Sequence, residues 1–349
     1  MVFHFIKKYP MKHLLFSVIP GFFISISVIA QDSTSLHQTA KTFIRQGDYS
    51  NAIGVLNKAL QAQPNNFEIK KDLAFAYYLH RDFVKALEIA KPLTEASNAD
   101  IQSYQILGMV YKGIEERKEC EKMYKAAIKK FPKSGVLYNE YGEMLWSKKD
   151  FTDAVKLWEK GIEVEPNFSG NYYNAAKYYY FSVDKVWGII YGEIFINLES
   201  YSKRTAEIRN LILDGYKKLF SDADMAKNQN NKNEFVNAFL GSMKKNSSVV
   251  NSGVSPESLA ALRTRFILDW YPANAARYPF RLFDYHLQLL KAGMFDAYNQ
   301  WIFGIAKDLA AFQIWTTTHT DEYNKFNTFQ KNRVFKLPEG QYYQGSSSK

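Results

Sequence analysis

The sequence predicts an all-α fold in which helical hairpins stack as a solenoid and a non-repetitive helical block follows. Three observations predict it. Small residues recur every 34 positions through residues 33–202, amphipathic helical periodicity continues after residue 202, and no run alternates apolar and polar residues as a β-strand would. A period of this length is typical of units that bury their apolar faces only against their neighbours.

The composition requires a packed apolar core. Of the 349 residues, 46% are hydrophobic and 16% aromatic, with 18 Gly and 10 Pro, which excludes a disordered or collagen-like chain. One cysteine, Cys120, permits neither an internal disulfide nor a cysteine-built metal site. Cys120 falls on a small-residue position of the repeat, so we expect a buried, unreactive thiol.

The first thirty residues have the order of a secretory signal peptide. Lys7, Lys8 and Lys12 precede an apolar run over 14–29, and Ala30 ends the run before polar residues. At 16 residues, the run is shorter than the roughly 20 residues that span a bilayer as a helix. We expect cleavage after Ala30 and an exported chain, periplasmic or extracellular, without a transmembrane segment.

Two series of small residues define the repeat. They are Ala40, Ala74, Gly108, Gly142 and Ala176, and then Ala52, Ala86, Cys120, Ala154 and Gly188. A small residue on each of two antiparallel helices lets their backbones approach closely. The spacing predicts five units at 33–66, 67–100, 101–134, 135–168 and 169–202.

The third unit has the most complete pattern, with Tyr104, Leu107, Gly108, Tyr111, Cys120, Tyr124, Ala127 and Pro132. This pattern resembles the tetratricopeptide repeat. With its signal and C-terminal block, the chain is also similar to secreted bacterial proteins of that family. The resemblance implies one helical hairpin per unit and a concave groove lined by the first helix of each pair, on which a partner binds.

The fifth unit departs from the pattern. Gly188 and Gly192 stand where the family prefers alanine and a bulky residue, and no proline closes the unit. Two glycines four residues apart leave a smooth helix face, although each costs about 1 kcal/mol of helix stability relative to alanine. We expect the downstream segment to pack on that face.

Residues 203–349 read as a helical C-terminal domain in which no 34-residue register is apparent. We expect a mobile loop at 244–255, a helix that starts at Ser255 and Pro256, and later helices near 279–292, 295–316 and 321–335. The net charge of +10 is uneven. Residues 31–200 hold 22 basic and 22 acidic residues, whereas residues 201–349 hold 20 and 13.

On the family register, the predicted groove mixes cations with large aromatic rings, which suits an extended peptide. Its residues are His37, Lys41, Arg45, Lys71, Phe75, Tyr78, Gln102, Gln105, Met109, Lys112, Asn139, Glu143, Trp146, Tyr173, Lys177 and Tyr180. Family members that bind chaperone tails use a Lys/Asn clamp. Here His37, Asp72, Gln102 and Ile106 stand at the clamp positions, so that partner is disfavoured.

The predicted function is therefore an exported scaffold that binds a protein or peptide partner, without bond chemistry, metal or cofactor. One alternative is a binder of envelope glycan, anionic lipid or another anionic polymer, with Arg263, Arg265, Arg277 and Arg281 as the cations. Another is a hydrolase with His286 and His319 between the array and the C-terminal block. Nucleic acid is disfavoured because an exported protein rarely meets it.

Overall fold

The computed structural model describes residues 22–221, 224–227, 229 and 232–345, with side chains from residue 33 onward. Residues 1–21 of the predicted signal peptide and the last four residues lie outside the described residues. The chain forms two compact units, Met1–Ile114 and Glu115–Lys349. In the described part every regular element is a helix, so the predicted all-α class is confirmed.

The helices follow one another in pairs within the predicted 34-residue units. The first compact unit holds α1 (Phe22–Gln46), α2 (Tyr49–Ala62), α3 (Phe67–Leu79), α4 (Phe83–Glu95) and α5 (Ile101–Gly113). The second begins with α6 (Arg117–Lys130), α7 (Gly135–Ser147), α8 (Phe151–Val164), α9 (Ser169–Phe181), α10 (Lys185–Leu198) and α11 (Lys203–Ser221). The boundary between the two units thus separates α5 from α6.

The turn that follows the first helix of a pair repeats the same backbone conformation. Gly47, Arg81, Glu115 and Lys149 all have φ between 59° and 79°, and they stand 34 residues apart. Three of them are not glycine, although the left-handed region costs an L-residue roughly 1–2 kcal/mol. The hairpin geometry therefore imposes this conformation on whichever residue occupies the position.

Small residues lie where the helices of a pair cross. Ala40 and Ala52 are fully buried in the core of the first unit, which Leu56 and Leu73 also fill. In the second unit, a Cβ atom at Gly142 would lie 2.3 Å from Trp158 Nε1. The series of small residues is thus explained by close helix contact. Cys120 is buried as expected.

Gly192 on α10 faces α11, which confirms that the downstream segment packs against this helix. A Cβ atom at Gly192 would lie 2.8 Å from Ile212 and 3.2 Å from Ile208. Gly188 faces α9 of its own hairpin instead, beside Tyr179. Gly188 therefore allows close packing within the hairpin, and Gly192 allows close packing of α10 against α11.

Helix α11 also continues the register that the sequence pattern no longer displayed. It lies beside α9, and its Glu207 and Asp214 are hydrogen-bonded to residues 34 positions earlier, Tyr173 and Tyr180. The absence of a register after residue 202 was therefore a wrong expectation for α11. This helix takes the place of the first helix of a sixth hairpin.

The remaining helices build the C-terminal block. They are α12 (Glu234–Lys245), α13 (Pro256–Ala273), α14 (Arg281–Lys291), α15 (Phe295–Asn299), α16 (Ile305–Lys307), α17 (Leu309–Thr318) and α18 (Thr320–Asn332), with a 3-10 turn at Ser247–Val250. Ser255 caps α13 in a capping box with Ser258, as the Ser–Pro start predicted. The long helix expected over 295–316 is interrupted, because a π-helical segment spans Gln300–Gly304 and Asp308 is extended and caps α17.

After α18, residues 333–345 form no helix, and a turn at residues 339–340 places Gly340 at a φ of 83°. We call this segment the C-terminal strap, because it lies against the connection between α8 and α9 and against the first residues of α14. Across the described ranges, no helix combines the length and apolar character that crossing a membrane requires.

A substitution at Gly192 tests the contact between α10 and α11. Gly192→Ala places a methyl group against Ile212 and should lower the unfolding free energy of the second unit by about 1–3 kcal/mol. Gly241→Ala in α12 is the matched control, because no atom lies within 4 Å of its Cβ position, and it should be neutral or stabilise by up to about 1 kcal/mol. Urea unfolding followed by tryptophan fluorescence measures both, since all 6 tryptophans lie in the second unit. Equal effects of the two substitutions would contradict the packing.

Candidate partner-binding face

Helices α7, α9 and α11 lie side by side in the second unit, where α7 and α9 are each the first helix of a pair and α11 follows them in the same register. Their polar and aromatic side chains gather on one surface, which we call the first-helix face. Its residues are Asn139, Glu143, Tyr173, Asn174, Lys177, Tyr180, Glu207, Asp214 and Lys218.

The first cluster on this face joins α9 to α11. The Tyr173 hydroxyl donates to Glu207 at 2.5 Å, and Lys177 Nζ lies 2.8 Å from the same carboxylate. Burial alone would lower the pKa of Lys177, but its hydrogen bonds to Glu207 and Tyr173 raise it above the ordinary value. The guanidinium of Arg204 stacks 4.8 Å from the centre of the Tyr173 ring. Because Arg204 pairs with Glu199 and Lys177 pairs with Glu207, each cation of the cluster has its own carboxylate, and the Tyr173 ring is already in contact with a cation.

The second cluster repeats this arrangement seven residues further along α9 and α11, which is about two helical turns. The Tyr180 hydroxyl donates to Asp214 at 2.8 Å, and Lys218 Nζ lies 2.8 Å from Asp214 and 4.0 Å from the Tyr180 ring centre. The hydrogen bond from Lys218 lowers the pKa of Asp214. Tyr180 is thus held by both a carboxylate and a cation.

The third cluster links α7 to α9 through side-chain amides. Asn174 Nδ2 donates to Asn139 Oδ1 at 2.9 Å and to Glu143 at 3.3 Å, while Asn139 Nδ2 donates to Glu143 at 2.9 Å. Asn139 is buried, whereas Asn174 is half-buried and Glu143 exposed. The amides form a fixed row that offers hydrogen-bonding groups to a ligand main chain without adding net positive charge.

Glu207, Asp214, Asn174 and Lys218 were missed by sequence reasoning. The signal that could have found Glu207 and Asp214 is the repeat itself, because each stands 34 residues after a tyrosine already assigned to the groove. Because no repeat register is apparent in the sequence after residue 202, the pattern does not predict the partners of Tyr173 and Tyr180.

Trp146, predicted for the same groove, packs within its own hairpin. Its ring lies 4.5 Å from that of Phe151 and 5.6 Å from that of Trp158. The side chain remains half-buried, so it borders the surface while filling the gap between α7 and α8.

In the first compact unit, the predicted groove residues divide between surface and core. His37 Nε2 lies 2.6 Å from Asp72, and Lys41 lies 3.6 Å from the same carboxylate. Lys71 does not line the groove as predicted. Its side chain is only 2% exposed, and its ammonium pairs with Glu68 and Asp100. Its charge is used to hold helices together and is not available to a partner.

The other predicted residues of that unit are accessible to different degrees. Phe75, Tyr78, Gln105 and Met109 are half-buried, and Arg45, Gln102 and Lys112 are exposed. The Phe75 and Tyr78 rings stack at 6.4 Å, and Tyr78 also contacts Phe83 at 5.9 Å. These two rings therefore line the surface of α3 and pack onto the start of α4.

Arg263, proposed from the sequence as a contact for an anionic partner, lies in the core. It is 1% exposed, and its guanidinium donates to Glu193 and Asn299. Glu193 also accepts from the Tyr298 hydroxyl at 2.8 Å. Burial opposes ionisation of Glu193, yet the charge of Arg263 and the hydrogen bonds from His286 and Tyr298 lower its pKa to about 2. The prediction for Arg263 is wrong, because this cation neutralises an internal carboxylate.

Arg265, Arg277 and Arg281 occupy three different environments. Arg277 pairs with Glu234 at the surface, and Arg281 lies 5.5 Å from the ring centre of Phe335 in the C-terminal strap. Arg265 is exposed and lines a cavity of about 440 Å³ together with Trp315 and His319. The four arginines therefore do not form one cationic patch.

The two histidines of the hydrolase alternative line different cavities. His286 is buried beside Glu193 at 2.7 Å, and burial lowers its pKa, so the neutral form is favoured. The cavity at His286 holds only about 10 Å³, less than a substrate needs. His319 is exposed at the end of α17, stacked 4.4 Å from Trp315. Within the described residues no group of three or more His, Cys, Asp or Glu side chains is placed to hold a metal ion.

Comparison with known proteins assigns the repeats. Two family models described as tetratricopeptide repeat match residues 43–108 and 101–132. The chain carries tetratricopeptide repeats. The tetratricopeptide fold is that of a protein-protein interaction scaffold, and the described helices have this fold.

Two curated relatives match part of the chain. Human tetratricopeptide repeat protein 21B is 26% identical over 121 residues, which are 34% of this chain and 9% of that protein. Human protein O-mannosyl-transferase TMTC3 is 26% identical over 165 residues, 43% of this chain and 18% of that protein. The matched region therefore spans less than a fifth of either relative.

Two of the solved structures that match are tetratricopeptide repeat proteins. A thermophilic protein of this kind from Thermus thermophilus, TTC0263, aligns with a TM-score of 0.43 at 14% identity and covers 53% of this chain and 98% of its own. A tetratricopeptide repeat protein from Parabacteroides merdae aligns with a TM-score of 0.39 at 16% identity, and covers 74% of this chain and 98% of its own.

Proposed function

We propose that the protein is an exported scaffold that binds an extended segment of a protein partner on the first-helix face, without bond chemistry. The observation that carries the proposal is the set of contacts from α9 to α7 and α11. They hold two tyrosines, two lysines and the amide of Asn174 at the surface before any partner arrives. A preorganised surface loses less side-chain entropy on binding.

The charge state of the face favours a peptide over an anionic polymer. Lys177 and Lys218 are each paired with a carboxylate of α11, so neither offers an uncompensated positive charge. The rings of Tyr173 and Tyr180 each contact a cationic side chain, which leaves less free ring surface for stacking a sugar. Amides and hydroxyls remain as the groups that a peptide main chain can use.

Export rests on the sequence of residues 1–30, where lysines precede a short apolar run that ends at Ala30. The prediction is a mature chain that begins at Gln31. Expression of the full-length chain in a bacterium, cell fractionation and intact-mass measurement should find that species outside the cytoplasm. Recovery of only the uncleaved chain, in the cytoplasm, would contradict export.

Two double variants, one on the first-helix face and one on α8, test the binding face. Lys177→Ala with Tyr180→Ala removes one side chain from each of two clusters and should reduce partner binding about tenfold or more, as loss of interface anchors does. Lys156→Ala with Lys160→Ala on α8 is the control, because both lysines are exposed and pair only with acids of their own helix. Capture from cell-envelope extract on immobilised mature chain, with quantitative mass spectrometry, compares the three proteins.

The expected result is a set of proteins that the wild type and the α8 variant retain and the face variant loses. Thermal melts of all three chains show whether each is folded. Identical partner sets for the wild type and a folded face variant would show that this surface is not the binding site.

A further inference from the structure

The C-terminal strap is held in the second unit as a bound peptide would be. We propose that the strap is a peptide ligand bound in cis, and that the channel beneath it is a second peptide-binding site, closed in this state. The strap channel is formed by Glu159, Asn167, Tyr179, Tyr191, Asn233, Phe235 and Tyr278. It is separate from the first-helix face, since none of these side chains belongs to that face.

Side-chain amides of the channel contact the main chain of the strap. Asn167 brackets Leu337, donating from Nδ2 to the Leu337 carbonyl at 3.0 Å and accepting from the Leu337 N–H at 2.8 Å. Asn233 Nδ2 donates to the carbonyls of Tyr343 at 2.7 Å and Gln344 at 3.2 Å. These bonds are made to the main chain of the strap and do not depend on its side chains, which is how peptide grooves gain affinity.

A pocket of aromatic rings receives one strap side chain. The Tyr343 ring stacks on Phe235 at 4.8 Å and lies 5.5 Å from Tyr278, and its hydroxyl donates to the Pro279 carbonyl at 2.6 Å. Leu337 is also buried, at 4% exposed. An aromatic residue six positions after an aliphatic one is therefore the spacing that the channel accepts.

The strap brings no positive charge to the Glu159 carboxylate of the channel. Glu159 accepts from the Tyr179 hydroxyl at 2.5 Å, and among the described residues no cation lies within 4 Å of its carboxylate. Burial without such a cation raises the pKa of Glu159 to about 7. Gln344 donates to the Tyr179 hydroxyl at 2.5 Å and also hydrogen-bonds to Glu159, so the strap meets this carboxylate with a neutral amide.

The missing positive charge indicates which peptide would fit the channel better than the strap. A lysine or arginine in place of Gln344 would bring a positive charge to the Glu159 carboxylate and pair with it. The ligand class is therefore a peptide segment with an aromatic residue followed directly by a basic one. Such a segment can compete with the strap, whose tethering gives it an effective concentration in the millimolar range.

Binding of a labelled strap peptide to the full chain tests the proposal. The probe is a fluorescein-labelled peptide with the sequence of residues 333–345, followed by anisotropy. The wild-type chain should bind it weakly because the strap occupies the channel. Tyr343→Ala in the full chain loosens the strap and should increase the affinity for the peptide at least tenfold. Adding Asn167→Ala to that variant should abolish the gain.

A second peptide tests the charge preference. The strap peptide with the substitution Gln344→Arg should bind the Tyr343→Ala chain at least tenfold more tightly than the unchanged peptide. Glu159→Gln in the chain should remove that difference, because the carboxylate is then neutral. Tyr343→Phe, which keeps the stacked ring and loses only the hydroxyl, replaces Tyr343→Ala if the latter does not melt cooperatively.

Two outcomes would overturn the proposal. One is a folded strap variant that gains no peptide binding. The other is binding that Asn167→Ala leaves intact but Asn174→Ala abolishes, because the peptide would then occupy the first-helix face. Asn174→Ala is therefore the matched control, and it should leave binding to the strap channel unchanged. Failure of this test leaves partner capture by the first-helix face unaffected, so the two proposals are decided separately.

Discussion

The buried carboxylate of Glu193 is the constraint on which the second unit depends. It lies on the last predicted repeat helix, yet Arg263, His286 and Tyr298, which contact it, all belong to the C-terminal block. A buried charge without its partner costs about 3–5 kcal/mol. Separating α10 from the C-terminal block would therefore leave buried charges without their partners. For this reason the block is a structural continuation of the array.

Much of the fold followed from the sequence because close helix crossings require small residues at a fixed period. The repeat became invisible after residue 202 because α11 preserves the register through polar contacts, Glu207 with Tyr173 and Asp214 with Tyr180, and polar surface residues vary freely. The turn conformation was also not predictable from the sequence, because Arg81 and Lys149 adopt a left-handed φ that arginine and lysine rarely adopt.

The candidate sites were less predictable than the fold. Periodicity places a residue on a helix face, but a long basic side chain there can point to solvent or turn inward to a carboxylate that sequence does not reveal. Lys71 and Arg263 both turned inward. The strap channel depends on contacts between residues more than 100 positions apart, such as Asn167 with Leu337, and no local pattern encodes such a pairing.

The unfolding energy and hydrogen exchange of a Glu193→Ala variant test most directly whether the block and the array are one structure. The account predicts a loss of about 3–5 kcal/mol by tryptophan fluorescence, with faster amide exchange in α10 and α13 together. Glu163→Ala, which breaks an exposed pair with Lys160 on α8, should cost no more than about 1 kcal/mol. A similarly small loss for Glu193→Ala, or faster exchange confined to α10, would contradict the account.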